Sequence, residues 1–375
     1  MIPHRLAAYY GATFLAMGIH LPFWQVWLDS KGLNAEQIGI ILATGSILKV
    51  IANPTVAQIA DKYGERKRLI VLLTVLALCS FSLFTLSTSF WIILLINGLF
   101  LALWSPAMPL MESLTMQASK LHQFDYGRVR LWGSITFIVG AVGIGYILKR
   151  SSPDYIIWAV LMMLVLTCIT AVFLPDIKSS RLTKSRFAMT EVLRDRTFVI
   201  FLVGTALIQA SHALYYGFGS IHWSNAGLGS DVIGLLWAEG VIVEIILFIY
   251  GAPILTKFGP SRLIALAGLA GVIRWFGFGM TTELPTLIAL QTLHGFTFGA
   301  AHLGAMHFIQ DRIAPELSAT AQSLYSSVVA GIGMGLAMLM SGYLYAIYSG
   351  VAYFAMAVLA GIGGIIIFAL RRVHV

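Results

Sequence analysis

The sequence predicts an all-helical polytopic membrane protein, with twelve transmembrane helices in two pseudo-symmetric six-helix bundles. Three observations predict it. Of the 375 residues, 58% are hydrophobic and only 11% are charged, against roughly 45–50% and 25% in soluble domains; the mean hydropathy is +0.86. Apolar runs recur at the length of about 20 residues that a helix needs to cross a hydrocarbon core. The second half of the chain also repeats the first at a constant offset. This composition excludes a soluble enzyme, and the unbroken apolar runs exclude a transmembrane β-barrel, whose strands alternate.

In chain order the runs are 6–28, 36–60, 69–88, 90–115, 128–148, 154–175, 197–221, 231–252, 262–281, 285–308, 317–341 and 350–370. The first lacks a small-residue cleavage site and is followed by further spans, so it reads as a retained helix and not as a signal peptide. The 36 glycines suit helices whose backbones approach closely. Cys79 and Cys168 lie inside apolar runs and read as small buried hydrophobes, not as a disulfide framework. The polar segment 176–196 reads as a cytoplasmic linker between an N-terminal bundle, 1–175, and a C-terminal bundle, 197–375.

Orientation follows from Lys and Arg. With the N-terminus cytoplasmic, 19 of the 24 fall on inside segments, Lys31, Lys149 and Arg150 fall outside, and Lys49 and Arg274 lie within spans. Both termini are therefore expected in the cytoplasm. The net charge of +8 is scattered over loops and forms no single face, so nucleic acid is not an expected partner.

A shift of 195 residues superimposes Leu33, Glu36, Ile38, Gly39, Ala43 and Gly45 on Leu228, Asp231, Ile233, Gly234, Ala238 and Gly240. Parallel repeats of this kind suit a carrier whose two bundles rock about a central site.

The segment Ala57-Gln-Ile-Ala-Asp61-Lys-Tyr-Gly64-Glu-Arg66-Lys-Arg68 resembles the loop signature of the major facilitator superfamily, with Ala57 where a glycine is usual. Gly64 permits a tight reversal. Asp61 can meet a helix N-terminus or a neighbouring basic residue, a contact suited to holding one conformation; Arg66 of the same loop is counted with the gate. In the second-half copy, Gly251 to Arg262, Thr256 replaces the acid, so no symmetrical latch is expected. Leu21-Pro-Phe-Trp-Gln-Val-Trp27, Asp125-Tyr-Gly-Arg-Val-Arg-Leu-Trp-Gly-Ser134, His212-Ala-Leu-Tyr-Tyr-Gly-Phe218, the surroundings of Glu244, Val272-Ile-Arg-Trp275, Leu293-His294 and His302 are similar to bacterial 3-phenylpropionate permeases, relatives of the lactose permease and nucleoside–proton symporters. The resemblance implies that fold and a proton-coupled carrier.

Ionisable residues inside a span cost about 2.5–3.5 kcal/mol each at the centre on insertion scales, so each needs a role. Lys49 and Glu244 occupy equivalent repeat positions, 13 residues from the outer ends of their spans, or about 20 Å along a helix. Two readings stand open: Lys49 binds a substrate anion while Glu244 carries a proton, or the two pair across the cavity. Glu239 and Arg274 match in depth, and a direct ion pair is expected. The resemblance adds that an Arg beside a titrating acid, with His, belongs to the proton-coupling machinery of lactose-permease-like symporters. In the tenth span Gln291, Phe298 and His302 fall within about 20° of one face, with His294 some 60° aside. Gln209, His212, Tyr216 and Gly219 form a similar stripe in the seventh. Each His alone reads first as an interhelical hydrogen-bond group and only second as a proton carrier. Trp24 and Trp27 read either as interfacial anchors or as lining of the outer cavity mouth. Glu112, with Arg128 and Arg130 nearby, is expected at a gate.

No metalloprotease, nucleophile-elbow or nucleotide-loop motif is present in the sequence, so neither enzyme chemistry, a cofactor, a metal nor ATP drive is expected. The expectation is a monomeric bacterial inner-membrane carrier that imports a small organic solute with protons. Its substrate contacts would be Lys49, Trp24, Gln209, His212, Tyr216, Gln291 and Phe298. Proton coupling would fall to Glu239, Glu244, Arg274, His294 and His302, and gating to Asp61, Gly64, Arg66, Glu112, Arg128 and Arg130. An aromatic carboxylate is the expected substrate; a sugar or nucleoside symporter, an efflux carrier for hydrophobic compounds and a non-transporting membrane sensor are the alternatives.

Overall fold

The computed structural model describes residues 2–87, 89–177, 188–314 and 317–370, which form helices joined by short turns, with no β-strand among them. Most of the expected linker, 178–187, and the C-terminal Arg371 and Arg372 lie outside the described residues. Ten helical segments among those described are long and apolar enough to cross a membrane. Two spans fewer are counted than expected, for identifiable reasons. The expected eleventh and twelfth form one segment of 51 residues, Thr320–Leu370, about 75 Å of helix, more than twice a hydrocarbon core. Its backbone breaks at Ser349, where φ is 48°. The expected tenth is interrupted at residues 292–294, between an α-helix and a π-helical stretch.

The chain forms two compact units, Met1–Thr183 with Gly227–Ala238, and Lys184–Ala226 with Glu239–Val375. The first contains α1 (Ile2–Ser30), α2 (Ala35–Tyr63), α3 (Arg66–Ser82), α4 (Phe90–Trp104), α5 (Ala107–His122), α6 (Tyr126–Leu148) and α7 (Tyr155–Val172). Asn34 starts α2 with a capping box shared with Gln37, and Asp125 caps α6 through the backbone N–H groups of Gly127 and Arg128. The expected fourth span divides at Ser105–Pro106, because proline has no N–H to continue the ladder. Helix α1 is central: Tyr9, Tyr10, Phe23, Trp24 and Trp27 are each at most 1% exposed. It approaches α6 so closely that a Cβ on Gly18 would lie 2.2 Å from the carbonyl oxygen of Phe137, and only glycine fits there.

The second unit contains α8 (Ala188–Arg194), α9 (Arg196–Ala210), α10 (Ala213–Asn225), the later part of α11 (Ser230–Ile249), α12 (Gly251–Phe258), α13 (Pro260–Met280), α14 (Leu284–Gln291), α15 (Ala301–Arg312), α16 (Ser318–Ser326), α17 (Met334–Tyr348) and α18 (Tyr353–Leu370). Two π-helical stretches, Gly295–Ala300 and Ser327–Gly333, interrupt it; such bulges gather at functional sites.

Many large apolar side chains point outward, among them Leu86 at 83%, Leu95 at 73% and Ile365 at 70% exposure. Apolar surface on this scale requires lipid. Cys79 is also exposed and Cys168 half-exposed, both as free thiols. This corrects the expectation of burial: an apolar run that crosses lipid presents some of its residues to the bilayer.

Candidate functional site

In the second unit the polar side chains converge on Arg274, which is fully buried. Its Nη1 donates to Nδ1 of His294 at 2.9 Å and to Oγ1 of Thr297 at 3.0 Å, and its Nη2 donates to Oε1 of Gln291. Gln291 passes the chain on, donating to the hydroxyl of Tyr215 at 3.1 Å. The guanidinium lies over the rings of Trp275, Tyr215 and Phe278, 4.6, 4.9 and 5.4 Å from their centroids. Its charge is thus held by neutral acceptors and π-faces. The expected direct pair with Glu239 is not made: among the described residues no ion pair joins them, although Glu239 lies within electrostatic reach of the guanidinium. Matching depth along two helices does not fix the rotation that brings side chains into contact.

His212 stands where the expected seventh span breaks between α9 and α10. The break leaves the carbonyl of Gln209 accessible to His212 Nδ1 at 3.1 Å, while Nε2 meets Thr297 Oγ1, also at 3.1 Å. A carbonyl only accepts, so Nδ1 carries the proton. Tyr216 stacks on His212 at 5.6 Å, and Gln209 is buried beside them.

In the tenth span the expected stripe needs correction. His294, expected aside, stacks on Phe298 at 5.6 Å and 8°, and Phe298 stacks on His302 at 6.3 Å and 9°. The π-helical stretch shifts the phase that 100° per residue assumes. Glu244 lies against the same stretch, where a Cβ on Gly299 would be 3.5 Å from its Cγ.

In the first unit Lys49 is half-buried on α2 and makes no ion pair within that unit among the described residues. Trp24 and Trp27, each 1% exposed, are not interfacial anchors. They stack on each other at 4.9 Å in an aromatic cluster with Phe81 and Phe84.

The loop signature closes on itself. Gly64 ends α2 with φ 69°, Arg66 reaches Asp61 at 3.3 Å and Gln117 at 3.2 Å, and Arg66 is only 5% exposed. Glu112 accepts from Arg130 at 3.0 Å and from the hydroxyl of Tyr126, while the Arg130 guanidinium lies 4.1 Å from the Phe14 ring centroid. Arg128 does not join this group; it is an exposed partner of Asp125 at 3.8 Å. In the second copy Thr256 bonds its own helix, donating to Pro253 O at 2.9 Å.

Several contacts escaped sequence reasoning. Asp195 binds Arg312 through two nitrogens at 2.8 and 3.2 Å, and these bonds hold its carboxyl below the usual carboxylate range. Lys31 binds Asp154 at 2.6 Å. Lys149 meets Asp231 at 2.7 Å where α6 and the start of α11 touch backbone to backbone; a Cβ on Gly234 would lie 2.4 Å from Ala141 O. Thr297 and Tyr215 complete the Arg274 network. Charge partners far apart in sequence carry no local signal, and Thr297 stands out only by its spacing of three from His294.

A multi-pass helical chain with buried ionisable clusters on its membrane helices is of the secondary-transporter class. It belongs to the MFS_1 like family, whose model matches residues 4–356. Over 365 residues it is 33% identical to the "Probable 3-phenylpropionic acid transporter" of Escherichia coli (strain K12), covering 95% of this chain and 94% of that protein. It is 27% identical to the "Maltose permease" of Geobacillus stearothermophilus, covering 90% and 86%. The fold matches the crystal structure of nucleoside transporter NupG with a TM-score of 0.85 at 16% identity, over 99% of this chain and 98% of that one. The chain is accordingly a major facilitator transporter.

Proposed function

We propose that the protein imports an aromatic carboxylate such as 3-phenylpropionate together with a proton, by alternating access of two bundles, 1–175 and 197–375, in a bacterial inner membrane with both termini cytoplasmic. The observation that carries the reading is the cation Lys49, inside an apolar helix and without an ion-pair partner in its own unit among the described residues, in a unit whose buried side chains are rich in Trp and Phe. A carboxylate supplies the missing charge, and an aryl group suits the rings. The relative named as a probable 3-phenylpropionic acid transporter supports the same substrate class.

In this reading Lys49 anchors the carboxylate, while Gln209, His212, Tyr216, Gln291 and Phe298 shape the substrate environment in the second unit, with Trp24 packed behind the first. Glu244 carries the proton, with Glu239 as the second candidate acid, and Arg274 sets the charge that each acid meets. His294 and His302 belong to that machinery as hydrogen-bond groups. Asp61, Gly64, Arg66, Glu112 and Arg130 hold one conformation. A sugar or nucleoside would use the same polar and aromatic groups, as the names of the maltose permease and the nucleoside transporter illustrate.

A thermal-shift and calorimetric screen of aromatic acids, sugars and nucleosides on purified protein tests the substrate class. Stabilisation by aryl carboxylates and not by their amides is the expected result. Stabilisation by a sugar or nucleoside alone contradicts it.

A further inference from the structure

At one end of the first unit, the start of α1 and the end of α7 frame a surface cavity of about 290 Å³, lined by His4, Arg5 and Ala8 of α1 and by Thr170 and Phe173. Arg5 immediately precedes the apolar run that opens at Leu6, and Phe173 falls near the end of the run 154–175, so the cavity sits where hydrocarbon gives way to water. The side chains of His4 and Arg5 are exposed, and neither makes an ion pair among the described residues. No carboxylate is among the lining residues. The Thr170 hydroxyl is turned back on its own helix, 3.1 Å from Leu166 O and 3.0 Å from Thr167 O. The guanidinium and the imidazole are therefore the polar groups that the cavity offers. Phe173, at the C-cap of α7, continues into Ile169, Leu166, Met162 and Trp158 as one exposed apolar stripe. That stripe is about 22 Å long, more than the roughly 15 Å of hydrocarbon in one leaflet.

We propose that this cavity binds an anionic phospholipid, with its phosphate on Arg5 and His4 and an acyl chain laid along the α7 stripe. Lipid must cover the stripe in any case, because apolar surface of this extent is not left to water. What the cavity adds is a choice among headgroups. A guanidinium meets two phosphate oxygens at once, and a ring N–H of His4 supplies a further directed bond. Basic pockets between membrane helices at the headgroup level suit anionic lipids for this reason. A choline headgroup brings its own cation toward Arg5 and fits less well. Inorganic phosphate has the charge contacts and no chain for the stripe. The bound lipid would tie α1 to α7, and the proposal is independent of which solute is carried.

The test uses the full chain, delipidated in a neutral detergent and titrated with phosphatidylglycerol, phosphatidylcholine of the same acyl chains, or inorganic phosphate. Bound lipid is counted by native mass spectrometry and the thermal midpoint is followed alongside. Phosphatidylglycerol should bind and raise the midpoint, while phosphatidylcholine binds more weakly and phosphate alone does neither. Arg5→Glu, at an exposed position, should weaken phosphatidylglycerol binding about tenfold or more, and Arg5→Lys less than about threefold. Ala8→Phe fills the cavity, leaves both nitrogen groups in place and should remove the bound lipid. Lys257→Glu, which reverses an exposed cation on α12, should change binding less than about twofold. Equal binding of the two lipids, no loss in Arg5→Glu or Ala8→Phe, or an equal loss in Lys257→Glu overturns the proposal and leaves a general attraction to basic surface. Stabilisation by phosphate alone, matching that by the lipid, overturns the lipid assignment in favour of a free anion.

Discussion

Arg274 donates to His294 Nδ1 at 2.9 Å, and this bond decides the proton state that His294 can hold. A guanidinium has only donors, so Nδ1 must be the bare acceptor and the ring is neutral with its hydrogen on Nε2. Loading a second proton onto His294 requires that the bond be broken and places two cations side by side.

Asparagine tests this directly, because its side-chain oxygen occupies roughly the place of Nδ1. His294→Asn should keep the Arg274 contact and retain substantial proton-driven accumulation. His294→Leu leaves a buried guanidinium donor unmade, at a cost of about 1–3 kcal/mol, read as a lower thermal midpoint. Loss of accumulation in the Asn variant with unchanged stability would return the proton to His294.

The acids separate by transport mode. Glu244→Gln should abolish accumulation against a gradient while counterflow exchange continues, since exchange needs no net proton movement. If accumulation survives in Glu244→Gln and fails in Glu239→Gln, the carrier is Glu239, which lies within electrostatic reach of Arg274.

The Asp195–Arg312 pair predicts a pH dependence of stability. Its hydrogen bonds to Arg312 lower the Asp195 pKa in the folded state below the roughly 3.9 of an unfolded chain. The pair's contribution is therefore complete above about pH 4 and fades as pH falls through the folded value. Because the Arg312 and Asp195 side chains are partly solvated, at 36% and 26% exposure, Asp195→Asn should cost less than about 1 kcal/mol at pH 7, and nothing once Asp195 is protonated in the parent. Asp195→Ala should cost about 1 kcal/mol more, because Asp195 also caps α9 through the N–H groups of Thr197 and Phe198. Thermal midpoints followed from pH 7 downward, until the Asn variant and the parent converge, check both.

Gly234 allows the start of α11 to approach α6 backbone to backbone. A Cβ there would meet Ala141 O at 2.4 Å, so Gly234→Val forces these backbones apart. The overpacking should cost about 1–3 kcal/mol in thermal stability and slow transport more than substrate binding. Unchanged transport would show that the close approach plays no part in the cycle.

Much of this architecture was legible in the sequence, because lipid imposes a simple rule: long apolar runs, satisfied backbones and charges kept in loops. The loop from Ala57 to Arg68 was legible as a tight reversal with an acid beside basic residues, since that signature is local, while the choice of Arg66 as the partner of Asp61 came from the structure. The site was legible in its residue types and not in its pairings. Glu239 and Arg274 matched in depth, yet the guanidinium turned toward Gln291, His294 and Thr297. Depth is written in residue number, whereas rotation depends on breaks such as Ser211–His212 and on the π-helical stretch after His294, neither of which periodicity anticipates. Tryptophans 24 and 27 stayed open between an interface and a cavity mouth for a related reason: depth along the span does not show that α1 is the central helix of its unit, where both rings are 1% exposed.

The most direct test of proton-coupled aryl carboxylate import is uptake of labelled 3-phenylpropionate by proteoliposomes under an imposed pH gradient, acid outside. Concentrative uptake that a protonophore collapses and that Lys49→Ala removes is the expected result. Uptake indifferent to the protonophore, or no uptake of aryl carboxylates while a sugar or nucleoside accumulates, would contradict it.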